Sequence, residues 1–178
     1  LLALPALAAA IPLISQIEKL AYALPASLPT SFFEDDSCNL PASFEIAEFQ
    51  TWSPAAGNTD HGPVINFGYK DNGTGIDTEC HYNSSSVNVG PEGLTPRYAC
   101  DNSYVTFIYQ NDTNVLTVIE VACPGSSGST RFEASGSVQP PLTCLSTESD
   151  SPFGNGTDCL SQETFIYANF TSLQPTPS

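Results

Sequence analysis

Asp77, Glu79 and His81 alternate along one β-type run, so their side chains fall on a single face of it. Two carboxylates and an imidazole at that spacing could hold a divalent cation, or serve as acid and base. Asp71 lies just across the preceding turn. The same alternation is what any half-buried strand shows; the three are then a solvated face opposite Ile76, Thr78, Cys80 and Tyr82. Asp60-His61, in a Gly/Pro loop, is a second acid–base pair, but the chain has no Gly-x-Ser-x-Gly turn to supply a nucleophile. Glycoside hydrolysis needs two carboxylates across a cleft, and 19 acidic residues make no particular pair assignable. The Gly-rich stretches are not followed by Lys-Ser/Thr and do not read as phosphate loops. Trp52, Tyr69, Tyr82, Tyr98, Tyr104 and Tyr109 are candidates for a glycan- or phenol-binding surface, although strand aromatics ordinarily serve as core. No catalytic residue, metal ligand or cofactor is assigned from these patterns.

The rest of the composition bounds the class. The 178 residues suffice for one domain with extensions. Four basic residues against 19 acidic ones give a formal net charge of −15. A phosphate backbone or an anionic membrane would find almost no cationic partner here, so nucleic-acid and membrane-surface binding are not expected. Such a surface keeps a protein soluble and favours basic partners. Residues 1–10 are apolar, end in small residues and read as the end of a secretory signal segment. They fall short of the ~20 apolar residues of a membrane span. Six cysteines at wide intervals, with no CxxC pair, point to disulfides in an oxidising compartment rather than to zinc. Five Asn-x-Ser/Thr sequons, at Asn72, Asn83, Asn111, Asn155 and Asn169, add N-glycosylation to the expectation of a secreted, extracellular or cell-wall protein.

Elements must then position these residues. Residues 11–37 read as a leader and linker, with Leu13, Ile17, Leu20, Ala21 and Leu24 at the spacing of a short amphipathic helix. Whether it is a pro-peptide, a mobile arm or a docked helix stays open. From residue 38 to 173 the texture is short β runs between turns: 44–52, 64–70, 76–82, 97–100, 103–110, 115–123, 130–138 and 163–170. Asn72-Gly73 marks a tight hairpin turn, and Asn111 to Asn114 joins a second hairpin. A Ser/Gly-rich excursion spans about 145–157, and 174–178 reads as a disordered tail. The pattern predicts an all-β fold, an antiparallel barrel or sandwich stapled by disulfides, with a short N-terminal helix.

The order of an early Cys38, Phe44-Glu45-Ile46-Ala47-Glu48-Phe49, Thr78-Glu79-Cys80, Tyr98-Ala99-Cys100-Asp101, Phe132-Glu133-Ala134-Ser135-Gly136 and the pair Cys144 and Cys159 resembles the fungal Alternaria major-allergen family of small secreted β-barrels. The resemblance spans about Cys38 to Leu173. It implies bridges Cys80–Cys100 and Cys144–Cys159, and an early cysteine, matched by Cys38, that in the family can link two subunits. This chain departs from the family in having Cys123. With two bridges so assigned, an intrachain Cys38–Cys123 is expected, and a monomer or weak non-covalent dimer rather than a covalent one. The resemblance further implies a non-enzymatic effector, elicitor or allergen-like role at a plant or other host interface. Its partners would be host extracellular proteins, basic defence proteins among them, with small phenolic ligands a weaker expectation. A structural or cell-wall-associated glycoprotein, and a hydrolase working through acidic residues, are the competing readings.

Overall fold

Side chains at every second position of the β runs turn inward, and their burial decides the architecture. The structure is a computed structural model that describes residues 18–28, 38–124, 131–148 and 152–177. Among the described residues there are eleven strands and no helix. They are β1 (Ser43–Pro54), β2 (Val64–Asp71), β3 (Ile76–Tyr82), β4 (Tyr98–Ala99), β5 (Val105–Gln110), β6 (Val115–Ala122), β7 (Phe132–Val138), β8 (Leu142–Thr147), β9 (Gly156–Ser161), β10 (Phe165–Asn169) and β11 (Ser172–Pro175). All pairings are antiparallel. One sheet runs β3-β2-β1-β9-β8, with β10 paired to the first half of β1; the other runs β11-β7-β6-β5-β4.

The sheets face each other across one core. Phe44, Ile46 and Phe49 of β1 and Phe67 and Tyr69 of β2 meet Val105, Phe107, Leu116, Val118 and Phe132 of the second sheet, all but fully buried. Each such side chain contributes roughly 1.5–3 kcal/mol by leaving water. At one seam the Asp101 N–H donates to the Glu79 carbonyl (2.8 Å), and at the other the Thr171 N–H donates to the Ser135 carbonyl (2.8 Å). The sandwich is thereby drawn towards a flattened barrel.

Three disulfides lock this arrangement: Cys38–Cys123, Cys80–Cys100 and Cys144–Cys159. Cys80–Cys100 crosses the β3/β4 seam between sheets. Cys38–Cys123 ties the lead into β1 to the end of β6. Cys144 and Cys159 are direct cross-strand partners in the β8–β9 hairpin.

Several expectations need correction. Leu13 and Ile17 lie outside the described residues, and 18–28 forms turns and bends rather than a helix. Leu20, Tyr22 and Leu24 pack against the core while Ala21 and Ala23 face solvent, a spacing of two that belongs to an extended arm. The stretch expected as an excursion takes in the end of β8 and the start of β9, and β11 takes in Gln174 and Pro175, assigned from sequence to the tail. The β2–β3 turn is a four-residue loop: Asp71 pairs with Ile76, the Gly75 N–H donates to the Asp71 carbonyl (2.9 Å), and the left-handed residue is Gly75 (φ 77°). Asn72-Gly73 is therefore not the two-residue turn its composition signals.

The bridges close loops of 85, 20 and 15 residues. Chain entropy alone assigns about 4–5 kcal/mol to the longest and about 3 kcal/mol to the shortest. The Cys38→Ser/Cys123→Ser variant is expected to lose more stability in urea melts than Cys144→Ser/Cys159→Ser, without a change in the order of the remaining pairs on non-reducing peptide maps.

Candidate functional site

The alternating set Asp77, Glu79 and His81 lies on the outward face of β3, an edge strand, with all three side chains exposed. Asp77 pairs with Lys70 across the strand (3.7 Å), and His81 Nδ1 bonds Asn66 Oδ1 (2.9 Å). Among the described residues no three His, Cys, Asp or Glu side chains converge to hold a metal. Asp71 does not join them, because it points the other way, into the core. Asp60 and His61 line a loop groove where the imidazole meets the Phe153 ring edge-on at 5.8 Å.

The aromatic candidates fare differently. Tyr69 is core and Tyr104 is an exposed turn residue, but Tyr82, Tyr98 and Tyr109 converge on one pocket at an end of the barrel, bordered also by the β1 segment around Trp52. Its volume is about 220 Å³. Register explains the convergence: Thr51, Ile65 and Tyr82 are neighbours across β1, β2 and β3, all facing inward at the strand ends. Tyr98 and Tyr109 come from β4 and β5, the facing sheet. The Tyr82 and Tyr98 rings stand 4.5 Å apart at 58°, and Tyr109 rests on Phe49 at 5.3 Å. Trp52, next to inward-facing Thr51, turns its indole to the other face of β1, where its Nε1 donates to Thr147 Oγ1 (3.2 Å) and Phe153 covers its ring at 5.4 Å. A Cβ on Gly156 would stand 2.5 Å from that indole, so only glycine fits there. No charged side chain lines the pocket. Burial, with Tyr82 adding to it, raises the Tyr98 phenol, and burial raises Tyr109 against a bond with Thr51 that lowers it. Both hydroxyls therefore stay protonated at neutral pH and present neutral donors and acceptors beside apolar ring faces.

The opposite end of the barrel holds two carboxyls that sequence reasoning did not pair. Glu120 of β6 and Asp71 of β2 are 0% and 1% exposed. The Tyr69 hydroxyl donates to Glu120 Oε2, while Asp71 Oδ1 accepts from the Gly73 (2.6 Å) and Thr74 (3.2 Å) N–H groups. Asp71 Oδ2 and Glu120 Oε1 have no hydrogen-bond partner among the described residues. Tyr22, on the N-terminal arm, packs nearby and donates its hydroxyl to the Pro41 carbonyl (2.6 Å). Burial pushes Glu120 up to about 7 against the lowering effect of Tyr69, and it raises Asp71 as well. Both carboxyls are closed off from solvent, at 0% and 1% exposure, so they are placed as interior groups rather than as a solvent-facing acid–base pair. The signal in the sequence was parity: Glu120 shares the inward register of Leu116 and Val118, and Asp71 that of Phe67 and Tyr69.

Fold and site together define a disulfide-locked, two-sheet β-domain with one end filled and the other an aromatic pocket. No family model matches the chain, and no curated protein matches it. Among solved structures, the crystal structure of the major allergen Alt a 1 of Alternaria alternata is similar to it, with a TM-score of 0.47 at 18% identity. The likeness covers 76% of this chain and 95% of that one.

Glu120 gives stability a pH dependence. Its proton is held more tightly folded, near 7, than unfolded, near 4.5, so the unfolded state ionises first as pH rises. Stability is expected to fall from about pH 4.5 to 7 by about 3 kcal/mol on this group's account, with Asp71 acting in the same direction. Thermal melts across pH 4–8 check this. Glu120→Gln, which keeps an acceptor for Tyr69, is expected to flatten the slope.

Proposed function

We propose that this is a secreted, non-enzymatic binding protein whose ligand site is the aromatic pocket at the open end of the barrel. One observation carries the reading: Tyr82, Tyr98 and Tyr109, from three strands in both sheets, converge on a single uncharged cavity. A cavity of about 220 Å³ is below the ~300–1,000 Å³ of drug-sized sites, so the ligand is small and planar. Tyrosine faces supply stacking area and their hydroxyls supply orientation, which suits a neutral phenol. The net charge of −15 disfavours an anionic ligand. Secretion is supported by the three disulfides and by all five sequon asparagines being exposed.

Fluorescence titration with 2-naphthol, a neutral bicyclic phenol, tests the pocket. Saturable binding is expected for the wild-type protein, weakened about tenfold or more in Tyr98→Ala and retained in Tyr98→Phe and in the exposed-site control Tyr104→Ala. Absence of saturable binding by folded protein that carries no glycan would remove the reading and leave that of a structural glycoprotein.

A second reading, binding of host extracellular proteins, is favoured by a separate surface. Leu145, Leu160, Phe165 and Tyr167 are exposed on the outward face of β8, β9 and β10, Leu145 and Tyr167 by about 70% (69% and 72%). Asp158 and Glu45 stand beside them in register, so the surface fits a basic partner with an apolar contact patch. Pull-down from host extracellular fluid is expected to recover such a protein with the wild-type chain and not with Leu160→Asp/Tyr167→Ala. Recovery of none by a folded bait rejects this reading.

A further inference from the structure

Asn111 stands at the mouth of the aromatic pocket and also begins the sequon Asn111-Asp112-Thr113. It is exposed and two residues from Tyr109, whose ring lines the same cavity. The β5–β6 turn that carries it is well held. The Thr113 N–H donates to the Gln110 carbonyl (3.3 Å), Tyr109 Oη donates to Asn114 Oδ1 (3.2 Å), and Gln139 Nε2 donates to the Thr113 carbonyl (2.9 Å). Asn114 completes the turn in the left-handed region at φ 53°. A sugar on Asn111 Nδ2 would therefore be delivered to a fixed point on the pocket rim.

The other four sequons are placed elsewhere. Asn72 and Asn169 border a cleft beside β10, Asn155 lies in the groove with Asp60 and His61, and Asn83 occupies the turn after β3. None of them lines the aromatic pocket.

We propose that the glycan on Asn111 is the pocket's own lid, closing the aromatic cavity so that occupancy of this sequon sets how much ligand the protein can take. The inference rests on the reading of the pocket as a small-phenol site and adds its regulation. The chemistry of the first sugars fits the cavity they would cover. An N-acetylhexosamine has an apolar C–H face that lies against aromatic rings and hydroxyls that pair with the phenols of Tyr82, Tyr98 and Tyr109. Tethering supplies the rest: a covalently attached group meets its site at an effective concentration on the order of millimolar. A free phenol of modest affinity competes poorly against that. Glycosylated and unglycosylated molecules are thus two populations with different capacity for the same ligand.

The test uses full-length protein secreted from a glycosylating host. Glycopeptide mass spectrometry reads occupancy at Asn111, and 2-naphthol titration reads the pocket. Two variants remove the glycan by different routes: Asn111→Gln replaces the attachment residue, and Thr113→Ala destroys the sequon while leaving Asn111. Both are expected to bind about tenfold more tightly than protein occupied at Asn111, or to restore the missing binding stoichiometry. Asn72→Gln, which deletes a glycan at the opposite end of the barrel, in the β2–β3 turn, is expected to match the wild type. The lid is overturned if Asn111 is unoccupied in the secreted protein, or if occupied protein binds 2-naphthol as well as both variants do. Absence of binding by both variants overturns the pocket reading itself, a result distinct from equal binding by all.

Discussion

The backbone of Glu48 sets the plan of the whole domain. Its φ of 50° puts a β-bulge in the middle of β1, and the register against β2 slips between Ala47 and Gln50. Because one residue is added, Ile46 and Phe49 both turn inward although three positions separate them. The Glu48 N–H, lost to the ladder, is taken by the Thr164 carbonyl (3.0 Å). On its free edge β1 pairs with β10 before the bulge and with β9 after it. The β8–β9 hairpin thus has a place to dock, and with it come Thr147 and Gly156 that hold Trp52, and the position of Thr51 on the pocket wall.

From that strand the two ends of the barrel acquire opposite characters. At the end where β2 and β6 finish, the N-terminal arm closes over Tyr69, Asp71 and Glu120, and Cys38–Cys123 fastens the approach to β1. Burying two carboxyls is costly unless they are hydrogen-bonded or neutral. Asp71 is met by two backbone N–H groups of its own turn, and Glu120 by Tyr69. At the other end, where β2 and β6 begin, nothing among the described residues covers the tyrosines. Ring packing with Phe49 and Phe107 holds Tyr109 and Tyr98 without filling the space between them.

What the sequence disclosed follows burial. β2, β5, β6 and β7 bury a regular face, and β1 does so on either side of its bulge, so alternation marks them without further help. β8 and β9 do not: Leu145 and Leu160 are exposed, and Gly156 is a small residue set beneath an indole. Pairing with the far half of β1 and the Cys144–Cys159 bridge make them strands, and neither leaves a local pattern. β11 is only four residues long and ends in proline. The arm misled because Leu20, Ala21 and Leu24 satisfy helical spacing, while Leu20, Tyr22 and Leu24 satisfy the period of two that packs. Trp52 and the tyrosines were legible as candidates, but not as a group. Only the cross-strand register separates Tyr69 in the core from Tyr82 at the rim.

The acidic surface and the buried acids act in one direction. Lys70–Asp77 is an exposed pair worth little, whereas Arg97 and Glu133, mostly buried and 2.8 Å apart, clamp the approach to β4 onto β7. With four basic residues in the chain, most of the 19 acidic ones have no cation to meet. Their mutual repulsion opposes compaction at neutral pH and relaxes as carboxylates take up protons. Glu120 and Asp71, whose carboxyls burial pushes up, respond to pH with the same sign. The disulfides are indifferent to this titration, so they carry the domain through the range where its charges oppose it. Such a molecule is expected to be most stable in mild acid, and at neutral pH its three covalent bridges carry a larger share of the stability.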